Sequence, residues 1–230
     1  MDNTAMHLPT DTHINIPQLR QAYLDALHIG SGRTADRVVR DVLDAGVTAN
    51  AIYLDLFQPT AYHIGELWQR NVFSVAQEHL ATAIIERQMV DLHAHFKPRR
   101  EQGRTVVIGC VEHEMHHMGS RMVADFFEQD GWTVHYLGGD VPPSALIAIA
   151  REMKADLIGL KAQLVTYLPA VTAFVQQLAR HGLDGIPVMV GGLPFVEQPD
   201  LYKVMGVQFC GIDAAEAVRQ ANALFPSGMK

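Results

Sequence analysis

Residues 106–119 read VVIGCVEHEMHHMG, and the polar side chains in that stretch fit two different metal chemistries. His113-Glu114-Met115-His116-His117 matches H-E-x-x-H. In that zinc-hydrolase pattern two histidines one turn apart on a helix hold the metal, and the glutamate acts on its bound water. Starting one residue later, Glu114-Met115-His116-His117-Met118-Gly119 matches E-x-H-x-x-G. Here a single histidine, His116, is the metal ligand, and Glu114 can fix one ring nitrogen so that the other coordinates. The zinc pattern needs both histidines on one helix face. His113 follows the apolar run ending at Cys110 by three residues, and helical patterning begins only near Met118, which places His113 in a loop. His135 is expected in a strand and His181 at a helix C-terminus, so a third zinc ligand is not apparent.

The elements that must position this stretch follow from periodicity. From Ile16 to Phe96 apolar residues recur at helical spacing, as in Val38, Val39, Val42 and Leu43, or Leu80, Ile84, Met89 and Leu92. Four helices fit, with breaks at HIGSGRT, DAGVTAN and RNVFS, where Gly, Ser, Thr and Asn supply caps. Pro59 is expected to kink or restart the third. After KPRREQG, expected to be a polar linker, the rhythm changes to short apolar runs, TVVIGC, TVHYLG, LIGLKA, IPVMVGG and VQFCG. Helical patterns separate them. Runs this apolar suit strands covered on both faces, and β-α alternation predicts a doubly wound parallel sheet. The expected architecture is α/β: residues 1–15 a disordered segment, 16–97 a four-helix bundle, and 104–230 a Rossmann-like (flavodoxin-like) domain with five parallel strands. Ligands of such sheets bind beyond the carboxyl ends of the strands, where the histidine loop lies.

Bulk properties exclude some functions. The chain of 230 residues is 48% hydrophobic with a formal charge of -7, ample for a sizeable core but poor in the positive field that phosphate backbones require. Direct nucleic-acid binding is disfavoured. With two cysteines, Cys110 and Cys210, no signal-peptide layout at the N-terminus and no apolar run of roughly 18 residues, a cytoplasmic, non-membrane protein is expected.

The E-x-H-x-x-G loop, GWTVHYLGGDVP, GLKAQLVTYLP and VMVGGLPF, spread over residues 104–225, together resemble the cobalamin-binding domain family. The resemblance implies that His116 replaces the cofactor's own benzimidazole as lower ligand to cobalt, backed by Glu114. It also implies that Gly119, Gly191 and Gly192 let the displaced nucleotide tail approach, with Lys161 and Gln163 among the cofactor-contacting positions. In the helical half, Trp68, nine residues, then Glu78-His79 resembles the bundle of light-sensing cobalamin regulators, in which the tryptophan caps adenosylcobalamin and the Glu-His pair lies near the adenosyl group or at the protein's contacts. That likeness implies a photoreceptor rather than an enzyme. Its output would be a changed homo-oligomer or a protein partner, such as a transcription factor or signalling protein.

Several positions depart from these patterns. Methyl carriers resemble D-x-H-x-x-G followed by lysine, with a serine after the third strand; here the acid is Glu114, Ser120 follows Gly119, and Lys161 takes the serine's place. Lys161 can pair with Glu114, meet the nucleotide phosphate, or snorkel into water. Light sensors often carry a histidine after the bundle tryptophan; Gln69 stands there. The competing expectation is a corrinoid methyl-carrier protein of a methyltransferase system, against which the Trp-Glu-His spacing and the missing Asp and Ser count.

Overall fold

The computed structural model describes residues 16–198 and 200–226; the segment expected to be disordered, 1–15, lies outside the described residues. The chain divides into two compact units, with the boundary between His95 and Phe96.

The first unit is helical: α1 (Ile16–His28), α2 (Gly32–Asp44), α3 (Ala49–Ala51), a π-helical stretch (Ile52–Phe57), α4 (Gln58–Gln69) and α5 (Val75–His93). The cap signals act as their chemistry suggests. The hydroxyl of Ser31 accepts from Thr34 N–H and that of Thr48 from Ala51 N–H, while Ser74 and Gln77 form a reciprocal capping box, which satisfies backbone donors that a helix start otherwise leaves open. Pro59, which lacks an N–H, lies in the first turn of α4 directly after the π-helical stretch, so the helix widens and restarts there rather than breaking. Tyr23, Leu27, Ile52, Tyr53, Phe57, Ile85, Met89 and Leu92 are fully buried. Leu80, part of the apolar pattern, is 48% exposed because it leans over Gly30 at the α1–α2 turn, clear of the bundle core.

The second unit alternates strand and helix: β1 (Thr105–Cys110), α6 (Met118–Gln129), β2 (Thr133–Tyr136), α7 (Pro143–Glu152), β3 (Leu157–Lys161), α8 (Leu168–Arg180), β4 (Val188–Gly191), α9 (Leu193–Glu197), α10 (Leu201–Val204), β5 (Gln208–Phe209) and α11 (Ala214–Leu224). All strand pairs are parallel, in the order β2-β1-β3-β4-β5. The strand cores are apolar because helices cover both faces. Val107, Ile158 and Val190 share a core with Leu146 of α7 and Phe174 and Leu178 of α8. Helix α6 packs with α11 and covers β1 and β2. Winding goes from β1 outward to β2 and then back across to β3, so the topological switch point, where such sheets bind ligands, lies between β1 and β3.

The stretch KPRREQG does not behave as a linker. Arg99 N–H donates to the Gln129 carbonyl, and the side chains of Arg99 and Gln102 both reach the buried Asp130 at the end of α6, tying the segment to the sheet unit. Among the described residues no helix is long and apolar enough to cross a membrane.

Candidate functional site

The histidine loop leaves β1 at Cys110 and enters α6 at Met118, on the ligand-binding edge of the sheet. Backbone ties fix its path: Val111 N–H donates to the Lys161 carbonyl (3.0 Å), Glu114 N–H to the Val111 carbonyl (3.0 Å), and Asp140 N–H to the Glu114 carbonyl (2.9 Å). His113 takes a left-handed φ of 69°, an uncommon conformation for a side-chain-bearing residue. Asp140 holds it there, its Oδ1 accepting from His113 N–H at 2.6 Å. The loop after β2 lies this close because residue 139 is glycine: a Cβ there would stand 3.0 Å from the Glu114 carbonyl oxygen.

These ties turn the Glu114 side chain inward, where it is wholly buried. Its Oε1 accepts from His116 N–H at 2.8 Å and meets His116 Nδ1 at 2.5 Å, while Oε2 accepts from Gln163 N–H at 2.6 Å. Burial works to raise the carboxyl pKa, but the hydrogen bonds from the His116 ring, His116 N–H and Gln163 N–H outweigh it and hold the group below the ordinary carboxylate range. A buried carboxylate against Nδ1 keeps the imidazole proton there and leaves the lone pair on Nε2. With its side chain half exposed, His116 is a single, orientation-fixed imidazole donor. A single fixed imidazole of this kind could serve as a ligand to a cobalamin's cobalt, so the residues present fit the cofactor that the sequence resemblance implies.

The H-E-x-x-H alternative fails on geometry. His113 and His117 both precede α6; His113 N–H is tied to Asp140, whereas His117 lies by Tyr136, whose hydroxyl donates to the His117 carbonyl at 3.1 Å.

Glu114, His116 and Gln163 are thus brought together, and Lys161 joins their edge of the sheet. Burial pushes the Lys161 ammonium pKa down. Each glycine singled out has a close neighbour inside the protein. A Cβ at Gly119 would stand 2.7 Å from Lys161 Nζ, one at Gly191 would stand 2.7 Å from Cys210 Sγ, and one at Gly192, whose φ is +125°, would overlap the Ala162 carbonyl. Trp68, Glu78 and His79 belong to the helical unit. Trp68 is 43% exposed near the end of α4. Glu78, in the first turn of α5, meets His79 Nδ1 at 2.6 Å and accepts from the Thr82 hydroxyl at 2.9 Å. Gly139 and Asp140 complete the site without having been singled out from the sequence; the GGD turn after the second strand was the signal. Gln163 acts through its main chain, which side-chain identity does not advertise.

Residues 104–222 match the family described as B12 binding domain, and residues 19–90 match a second family of the same description. Dimethylamine corrinoid protein 3 of Methanosarcina mazei is 35% identical over 120 residues, 52% of this chain and 71% of that protein; the aligned stretch spans 55% of other dimethylamine corrinoid proteins. Trimethylamine corrinoid protein 1 of the same organism is 25% identical over 203 residues, 86% of this chain and 93% of its own length. Among solved structures, the monomethylamine corrinoid protein of Methanosarcina barkeri has the same fold, with a TM-score of 0.79 at 20% identity over 90% of this chain and 97% of that one.

These relatives overturn the light-sensing expectation. The trimethylamine corrinoid protein aligns across helical and sheet units together, so the Trp68, Glu78 and His79 spacing sits on a helical half that corrinoid proteins share. A tryptophan and a Glu-His pair can cover a cofactor face whatever group it carries, and so do not encode photochemistry. A photoreceptor acting through a transcription factor is therefore withdrawn. By its sequence match and its imidazole-bearing sheet edge, the chain belongs to the B12 binding domain family and binds a cobalamin-type corrinoid.

Proposed function

We propose that this chain is the corrinoid protein of a methyltransferase system acting on methylated amines, passing methyl groups between partner methyltransferases. One observation carries the reading: the buried Glu114 carboxylate holding His116 Nδ1, in a chain whose relatives are named as methylamine corrinoid proteins. Bound cobalt supplies the centre that takes up a methyl group from one partner enzyme and yields it to another. The rest is the work of this chain's residues. His116 would ligate the cobalt, Glu114 holds its ring, and the Gln163 and Asp140 main chains hold Glu114 and its loop. The absence of the usual aspartate is met by a carboxylate one methylene longer that still reaches Nδ1. Trp68, Glu78 and His79, in the helical residues 16–97, are kept as candidate cofactor contacts, and residues 104–230 as the cofactor domain. A methyl-bearing corrinoid replaces the adenosyl form as the working ligand. A cytoplasmic setting suits the two free cysteines.

The test is methyl uptake. Full-length protein loaded with reduced cobalamin is mixed with a methylamine methyltransferase and a methylated amine, and the cofactor's absorbance is followed. A shift to the methylated spectrum supports the reading, and no shift with any of the mono-, di- or trimethylamine enzymes refutes it. His116→Ala should convert the bound cofactor to a base-off spectrum, and His113→Ala should leave the spectrum unchanged.

A further inference from the structure

Lys161 ends β3 at the switch point, in register with Cys110 of β1 on one side and Gly191 of β4 on the other. Its side chain is partly buried. Gly119 in the first turn of α6 makes room for Nζ, since a Cβ there would come within 2.7 Å of it. The Glu114 carboxylate acts on the ammonium through space, against the burial that disfavours its charge, with the Cys110 and Cys210 thiols as its other neighbours. Among the described residues its Nζ makes no hydrogen bond or ion pair. None of the three neighbours supplies the missing partner. Both oxygens of Glu114 are engaged by His116 and Gln163. Burial keeps both thiols protonated, pushing Cys210 up to about 12. The N-terminus of the 12-residue α6 adds positive potential rather than relieving it. A partly buried ammonium without a partner gains from acquiring one. At the edge of the sheet where ligands enter, that pairing is most simply completed by an anionic group on the ligand itself.

Resting on the cobalamin reading above, we propose that Lys161 receives the phosphodiester of the corrinoid's nucleotide tail, and so makes the protein select corrinoids that carry this phosphate over truncated ones that lack it. The serine usual after the third strand can donate one neutral hydrogen bond; a lysine there adds charge-based discrimination that a hydroxyl does not.

The test compares equilibrium binding of cobinamide and cobinamide phosphate, which differ in that one group, to the full chain by absorbance titration. Wild type should prefer cobinamide phosphate by roughly tenfold or more, the usual scale for one charge-assisted hydrogen bond. Lys161→Met should bring the ratio near one, and Lys161→Arg, which keeps the charge, should retain most of it. His116→Ala should weaken both ligands alike and leave the ratio standing. A wild-type ratio near one, or a ratio unaffected by Lys161→Met, overturns the proposal. Equal weakening of both ligands by Lys161→Met overturns it in favour of a role at Glu114. If wild type binds neither compound and no cobalamin, the cobalamin reading itself fails.

Discussion

Glu114 shows how much one side chain organises. It is fully buried, and its three hydrogen bonds keep it ionised, so it acts as a fixed anion behind the His116 ring. Removing such a partner typically costs a histidine ligand roughly 10–100-fold in metal affinity. Glu114→Ala should therefore shift cobalamin-loaded protein toward the base-off spectrum by that factor, while Glu114→Asp, one methylene shorter, should fall between. The pairing of Glu114 with His116 was legible in the sequence because both side chains have distinctive chemistry at a recognisable spacing. The roles of Gln163 and Gly139 were not, since one donates through its backbone and the other works by lacking a Cβ. Lys161 was visible as an anomaly, but only the packing around Gly119 and the two thiols gives it a setting.

Among the elements, strand identity was legible because apolar runs bounded by glycine and caps allow few alternatives. Helix facing was less so: Leu80 satisfies the period yet lies outside the core, because the α1–α2 turn at Gly30 presents it with a nearer surface. The β4 exit depends on Gly192, where a φ of +125° and a backbone oxygen 1.9 Å from the would-be Cβ exclude any side chain. Gly192→Ala is expected to lower stability by on the order of 2–4 kcal/mol, read as a lower denaturation midpoint with an unchanged slope. In the helical unit, Tyr23 donates to Gln88, Gln88 donates to Asp36 at 2.8 Å, and Arg87 pairs with Asp36 at 2.5 Å, clamping α2 to α5. Burial opposes ionisation of Asp36, but the bonds from Gln88 and Arg87 prevail and hold its carboxyl below the ordinary value. Its stabilising contribution is therefore present above the ordinary carboxylate range and is lost as pH falls through the lowered folded value. Urea midpoints of wild type and Asp36→Asn should differ near neutrality and converge in acid; a constant gap would refute this clamp.

At the scale of the whole chain, the two units were legible from the change of period, but their junction was not. The polar stretch 97–103 looked like a linker, yet Asp130 gathers Arg99, Gln102 and Asn222 around one buried carboxylate, a convergence of three distant segments that no local pattern displays. Asp130→Ala should speed proteolysis within 97–103 several-fold, seen as faster appearance of two fragments. The histidine loop is held with similar economy, by the Asp140 N–H from the turn after β2 and the Gln163 N–H from the turn after β3. Because those ties are made by the polypeptide alone, the Glu114–His116 pair needs no outside group to hold its geometry. A corrinoid docking on the proposed carrier would then demand little ordering of this edge and would find its foothold at one fixed address.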